Sequence, residues 1–333
     1  MKRRLMYSLC AVFVLFAVLL TVSCGKPPSQ RSGGEEGYTV TDAQGTAVRI
    51  PQKPERIISL AIYTDEILLG VVPTNRMAAI SRFLDDPKES SVVEKAKRVP
   101  EKVGNPTVEQ IVGWRPDLVI ANGWTDMEQV AALRALGIPV VVAGRGESYE
   151  DIRACIRLIA ESVGESERGT KVLDRMEEIL REITARIDRI PSEERKRVVL
   201  LSVMTSYGGI GSAFDDMCTR AGVVNGAAAV GLKNGQPLTK ELLVKSNPDI
   251  LLLPNYDDKG NFDTEAFIRS YLDDPSLQTI KAIQNRRLEY PRESYIYNGS
   301  QDFVFGVQEL AFIAYGDAFR QEDNRHISFS GEE

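Results

Sequence analysis

SERGTKVLDRMEEILREITARIDRI, residues 166–190, sits near the middle of the 333-residue chain and decides how the rest is read. Val172, Leu173, Met176, Ile179, Leu180, Ile183, Ile187 and Ile190 recur at helical spacing, and Asp174, Arg175, Glu177, Glu178, Arg181 and Glu182 fill much of the remainder. The pattern predicts one long amphipathic helix. Gly164 closes the helix before it, Ser166 is placed to cap it and Pro191 stops it, so the connecting element spans residues 165–191. At about 1.5 Å per residue its helix would run roughly 37 Å, long enough to bridge two lobes. An ordinary surface helix of one large domain would look the same, so the flanking sequence has to decide.

The two flanks resemble each other. Glu109-Gln110-Ile111-Val112-Gly113-Trp114-Arg115-Pro116-Asp117-Leu118-Val119-Ile120 runs on to Trp124, and Glu241-Leu242-Leu243-Val244-Lys245-Ser246-Asn247-Pro248-Asp249-Ile250-Leu251-Leu252 runs on to Tyr256. Glu109 with Glu241, Pro116 with Pro248, Asp117 with Asp249 and Trp124 with Tyr256 all share one offset of 132 residues. Around these segments, short apolar runs at 56–60, 77–80, 117–121, 139–143, 197–203, 249–254 and 287–290 alternate with helical stretches, the last helix covering about 302–319. Such alternation argues for parallel sheets covered on both faces. The expected fold class is α/β, with two similar lobes, each a parallel-type sheet covered by helices, joined by one long backbone helix. The N-terminal lobe is expected at 38–164, opening with a small hairpin, the C-terminal lobe at 192–323, and a tail at 324–333.

Lys2, Arg3 and Arg4 precede an apolar run from Met6 to Val22, followed by Thr21-Val22-Ser23-Cys24. A basic start, an apolar core and a small residue before a Cys resemble a bacterial lipoprotein signal, with residues 1–23 removed and Cys24 lipidated. Thr21 departs from the Leu usual at that position, and a plain amino-terminal anchor is the competing reading. Either puts the remainder on the far side of the cytoplasmic membrane, facing the periplasm or the cell exterior. Residues 24–37, rich in Pro, Gly and Ser, read as a flexible tether. Losing the signal removes three positive charges and no acid from a chain already at formal charge −6, which argues against nucleic acid as partner. Cys155 and Cys218 remain, one on each side of the long helix, and are expected as two buried thiols.

Thr41-Asp42 with Gly45, Pro51 to Pro54 with Arg56-Ile57-Ile58-Ser59-Leu60, Thr64-Asp65-Glu66-Ile67-Leu68, Val103-Gly104, Pro116-Asp117-Leu118-Val119, Gly137-Ile138-Pro139-Val140, Ala221-Gly222 and Asn247-Pro248-Asp249 occur in a characteristic order. In this the chain resembles the helical-backbone (class III, Fe/cobalamin-type) periplasmic solute-binding proteins of ABC importers, over nearly all of residues 38–319. The resemblance implies a monomeric carrier that captures an iron-siderophore or a related metal chelate (cobalamin, haem) and hands it to an ABC permease dimer with its ATPase subunits. It implies no catalysis and no resident cofactor. It also implies that an acidic residue near the start of the repeated helix on each lobe, here Glu109 and Glu241, docks on the permease. A carboxylate in the first turn of a helix also simply stabilises the helix dipole.

Open parallel sheets place ligands beyond the carboxyl ends of their strands. The residues expected there are Tyr63, Arg82, Phe83, Trp124, Arg145, Tyr207, Tyr256, Tyr295 and Tyr297, a mixture of aromatics and arginines suited to a large, partly planar, anionic or metal-complexed ligand. Each alone is equally a half-buried packing residue. The one histidine, His326, falls in the expected tail, so neither a bare-metal site built on several His nor a His-held haem is expected, whereas haem held by a tyrosinate stays open. The rival of another class, a membrane-anchored α/β hydrolase, lacks a usable His and any Gly-x-Ser-x-Gly, Walker or His-Glu-x-x-His motif.

Overall fold

The computed structural model describes residues 37–204, 207–255 and 262–332, so the expected signal, Cys24 and almost all of the tether lie outside the described residues. A hairpin of β1 (Tyr38–Thr41) and β2 (Ala47–Ile50) opens the chain. Next come β3 (Ile57–Ser59), α1 (Ile62–Val71), β4 (Met77–Ser81), β5 (Lys102–Val103), α2 (Val108–Gly113), β6 (Leu118–Ala121), α3 (Met127–Ala135), β7 (Val140–Val142) and α4 (Tyr149–Ser162). The five strands after the hairpin form one parallel sheet in the order β5-β4-β3-β6-β7. After α5 (Ser166–Ile187) the chain builds β8 (Arg197–Leu200), α6 (Ala213–Arg220), β9 (Val224–Asn225), α7 (Lys240–Ser246), β10 (Ile250–Leu252), α8 (Thr264–Leu272), β11 (Leu288–Glu289) and α9 (Phe303–Tyr315). Its four strands make a second parallel sheet, β11-β10-β8-β9. The central strands are buried throughout, and apolar apart from Ser59, because helices cover both faces.

Helix α5 buries Val172, Leu173, Met176, Ile179, Leu180, Ile183 and Ile187 of the stripe read from the sequence, and Gly169 besides, against α1, α4 and α9, while Ile190, the last of the stripe, lies beyond the helix and is only partly buried. Its 22 residues amount to about 33 Å, shorter than expected. Ser166 is not the cap. Glu165 holds that position and makes no side-chain cap bond; its carboxylate instead receives Arg76 at 2.6 Å and Lys53 at 3.0 Å, charges from the N-terminal half that tie down the start of the helix. Gly169 is required where α5 crosses α4, since a Cβ there would lie 2.5 Å from the Ala160 Cβ.

The repeat extends to backbone hydrogen bonds. The Asp117 carboxylate accepts the Glu55 and Arg56 amides at 2.7 and 2.9 Å, and the Asp249 carboxylate accepts the Arg197 amide at 2.9 Å. The Arg56 guanidinium donates to the Trp114 and Arg115 carbonyls ending α2, and Arg197 donates to the Ser246 carbonyl ending α7. Arg115 (φ 50°) and Asn247 (φ 41°), each just before its proline, both turn left-handed, which satisfies the helix end and starts the strand.

Residues 324–332 are not a free tail. Ile327 is 5% exposed, the Phe329 amide donates to the Gly70 carbonyl at 2.8 Å, and Glu332 accepts from the Thr74 amide and hydroxyl. His326 bonds Asp302 at 2.8 Å. The sequence offered only a polar, charged ending, and what holds it down is the exposed backbone at the end of α1, to which it donates. Cys155 and Cys218 are both buried and unpaired.

Met176→Ala should cost about 2–5 kcal/mol of stability by leaving a cavity in the shared face of α5, whereas Glu178→Ala on the exposed face should stay within about 0.5 kcal/mol. Urea unfolding of the two variants checks this, and equal losses would contradict the role of the stripe.

Candidate ligand cleft between the two sheets

Because every strand within a sheet runs the same way, the carboxyl ends of each sheet lie along one edge. On the N-terminal sheet, Tyr63, Arg82 with Phe83, Trp124 and Arg145 follow β3, β4, β6 and β7 in turn. The Asn122 side chain accepts the Trp124 amide at 2.7 Å, and this turn presents the indole at 62% exposure. The Arg145 guanidinium lies over that ring at 4.0 Å from its centroid, and a Cβ on Gly123 would come within 2.7 Å of the Arg145 Cγ, so glycine leaves room for the stack. Arg82 and Phe83, both exposed, form a looser pair at 5.2 Å. Neither arginine has an ion-pair partner among the described residues, which leaves both guanidinium groups available to an anionic ligand.

On the C-terminal sheet the Tyr207 and Tyr297 rings pack with centroids 5.1 Å apart, the Tyr297 hydroxyl donates to Ser202 Oγ at 2.9 Å and the Tyr207 hydroxyl reaches the Ile296 carbonyl at 3.4 Å. Burial pushes both phenols well above the ordinary tyrosine range, so they stay neutral. Tyr295 does not line the cleft: it is 0% exposed, packs on Phe305 and bonds the backbone of Arg325. It sits in the short helix Glu293–Ile296, where Tyr297 sits two residues on at the helix end and remains partly exposed. Tyr256 lies outside the described residues.

The two edges meet at a glycine seam. A Cβ on Gly146 would lie 3.2 Å from the Gly299 carbonyl oxygen, and a Cβ on Gly299 would lie 3.4 Å from Tyr63. Tyr63, half-buried, donates to the Gly144 carbonyl. Beside this seam, Asn298 donates to Glu66 at 2.8 Å and Gln301 to the Glu66 carbonyl at 2.9 Å, so the loop before α9 is stitched to α1. Burial raises the Glu66 carboxyl, with the charge of Asp302 adding to it.

Sequence reading missed a second set of residues. Glu89, half-buried after the β4 loop, is pushed up to about 7 by burial, by the Glu293 carboxylate of the other half and by Asp86. Glu293 is 9% exposed and accepts the Asn255 amide at 2.5 Å. Met204, 51% exposed, lies in the loop after β8. No motif marks Glu89 and Glu293, since their proximity depends on how the two halves pack. Glu109 and Glu241 are both exposed, one residue into α2 and α7, behind the caps Thr107 and Thr239. Hydrogen bonds from their own amides and those Thr side chains hold both carboxyls below the ordinary range. Among the described residues no group of three or more His, Cys, Asp or Glu could hold a metal ion, and no helix is long and apolar enough to cross a membrane.

Two parallel sheets whose edges meet at the Gly146–Gly299 seam, with one long helix packed against both halves, have the architecture of a two-lobed solute-binding protein. The chain belongs to the periplasmic binding protein family, whose model matches residues 57–293. Among relatives, it is 24% identical over 322 residues to the ABC transporter substrate-binding lipoprotein YvrC of Bacillus subtilis, covering 92% of this chain and 97% of that one. It is also 24% identical over 259 residues to a cobalamin-binding protein of Halobacterium salinarum, 72% of this chain and 67% of that one. The fold matches the periplasmic heme-binding protein RhuT of Roseiflexus sp. RS-1 in apo form, with TM-score 0.66 and 24% identity over 80% of this chain and 99% of that one. It matches the molybdate-binding MolA of Haemophilus influenzae with TM-score 0.68 and 18% identity, over 84% and 91%.

A carboxyl raised in the folded state favours folding while it is protonated, and that contribution disappears as pH rises from its ordinary range through its folded value. Glu89→Gln should therefore remove a fall in melting temperature between about pH 4.5 and 7 that the unaltered protein shows. Melting curves across that window check it; parallel profiles would mean that Glu89 does not face Glu293 as described.

Proposed function

We propose that this protein is the lipid-anchored receptor of an ABC importer, carrying an iron-siderophore or, as related cargoes, cobalamin or haem. The observation that carries the reading is the asymmetric cleft. One wall offers two unpaired arginines stacked on aromatic rings and the other a pair of neutral tyrosines, which together suit a large anionic chelate arriving with its metal already coordinated. Relatives named as substrate-binding lipoproteins and cobalamin-binding proteins support it. Haem held by a tyrosinate is less favoured, because burial opposes ionisation of Tyr207 and Tyr297. Lobes at 38–164 and 192–323 on a connecting element at 165–191, anchored through Cys24, form the working unit. Glu109 and Glu241, exposed, ionised and repeated, are the groups that meet the permease.

The test is tryptophan fluorescence of the domain lacking the signal and Cys24, titrated separately with ferric siderophores, haemin and cobalamin. Only Trp114 and Trp124 report, and Trp124 is 62% exposed in the turn after β6. Saturable quenching by one class, weakened roughly ten- to a hundred-fold by Arg82→Ala or Arg145→Ala, is expected from the loss of a charge-assisted hydrogen bond. Binding by none of the three would overturn the chelate reading. Glu109→Arg with Glu241→Arg should leave that binding intact and abolish uptake by cells; retained uptake would remove the docking role.

A further inference from the structure

Glu66, on α1, is 1% exposed and feels the charge of Asp302, which precedes α9 and is 0% exposed. The two acids are served unequally. Asp302 has Ser91 Oγ at 2.7 Å, His326 Nδ1 at 2.8 Å and the Ile327 amide at 3.1 Å, and it stands at the positive end of the α9 dipole. Glu66 has Asn298 Nδ2 at 2.8 Å on Oε2, and no hydrogen bond among the described residues reaches Oε1. The Ser300 hydroxyl lies beside this carboxyl, but its own proton goes to Asn298 Oδ1 at 2.8 Å, so towards Glu66 it can only accept. Asn298 is fixed in that orientation, because its Oδ1 also accepts the Ser300 amide at 2.8 Å. A proton on Glu66 Oε1 suits this setting, whereas a second buried negative charge beside Asp302 finds no donor. Burial, reinforced by the charge of Asp302, holds the Glu66 carboxyl well above the ordinary glutamate range.

We propose that Glu66 is a neutral acid in the folded protein and acts as a proton latch on the seam between the two halves. With the proton in place, segment 298–302 is held against α1; without it, Glu66 and Asp302 repel and the segment loosens. Gly299, within that segment, is where the seam closes on Gly146 and Tyr63, so the proton sets how firmly the two sheet edges meet. The other titratable groups around the pair do not reverse this. Asp65, next on α1, pushes the same way, and Tyr295, near Asp302, is kept neutral by burial. His326 is taken up by Asp302, Lys102 pairs with Asp85, and Lys95 bonds the Leu69 carbonyl and Ser330. The stabilisation is present while Glu66 is protonated and is lost as pH rises through its folded value. Between the ordinary glutamate range and that value, opening of the segment should become about tenfold easier per pH unit, since opening releases one proton.

The test is hydrogen exchange at the Ser300 and Asp302 amides, both bonded inside the segment, in the unaltered protein and in Glu66→Gln, with rates corrected for intrinsic base catalysis. Glutamine copies the neutral acid, accepting from Asn298 and donating where the proton was. In the unaltered protein, protection of these amides should fall between about pH 6 and 9 while that of Val119, bonded to Pro139 in the first sheet, holds. In Glu66→Gln it should stay level. Level protection in the unaltered protein, or an equal fall in the variant, would overturn the latch. Failure of Glu66→Gln to fold at neutral pH would overturn it too, because a neutral isostere would then not replace the group.

Discussion

The apolar stripe of α5 constrains everything around it. One continuous core runs from Ile67, Leu118 and Val141 of the first half through Met176 and Ile183 to Val198, Phe214 and Leu310 of the second. Each sheet also has a separate core on its far face, around Val119 and Val130 in one half and around Leu251 and Leu277 in the other. Each large side chain buried on α5 is worth about 1.5–3 kcal/mol, so a wide separation of the halves would expose several such groups together. In the function proposed above, recognition would then depend on what the two edges already present, with closure on a ligand a small adjustment instead of a large swing.

Polar stitching reinforces this seam. Glu66 and Asp302 are buried acids met by amide and hydroxyl donors from three separate segments: Asn298 to Glu66, Ser91 to Asp302 at 2.7 Å, and the Ile327 amide to Asp302 at 3.1 Å. A buried carboxylate is tolerated only while such donors remain in place, so each is costly to remove. The C-terminal segment completes the arrangement, since it leaves the second half and ends against α1 of the first, where Lys95 bonds Ser328 and Ser330. Burial leaves Asp65 protonation-prone as well, although its carboxylate accepts the Ser81 amide at 2.9 Å.

Periodicity made the skeleton legible. The α5 stripe, the parallel strands and the repeat from Glu109 and Glu241 follow from local spacing, and local spacing survives folding because it reflects backbone geometry. Helix ends were less legible: Ser166 is the better cap by type, yet Glu165 holds the position without a cap bond, its carboxylate paired with Arg76 and Lys53, which arrive from far away in sequence. In the cleft, Tyr295 and Tyr297 differ by two residues and were indistinguishable as letters, yet one is core and the other is wall. Glu89 and Glu293 could not be paired at all without the packing of the two halves. The strap at 326–332 misled for a related reason: its serines and glutamate look solvated until Ser328 is seen to donate to the Leu69 carbonyl near the end of α1 and Glu332 to accept the Thr74 amide beyond it.

The same chain direction that creates the cleft also places the repeated glutamates. Helix α2 starts soon after β5 ends, and it runs back along the sheet before β6, so Glu109 in its first turn stands at the carboxyl edge. Helix α7 precedes β10 in the same way and puts Glu241 at the carboxyl edge of the second sheet. Trp124, Arg82, Tyr207 and Tyr297 occupy those same edges. A partner seated on the two glutamates would therefore face the mouth of the cleft, and cargo could pass to it without any rotation of the carrier. In the function proposed above, the two helices would be free to stay alike because they answer to a partner with two-fold symmetry, whereas the walls between them would differ because a single asymmetric ligand touches each wall differently.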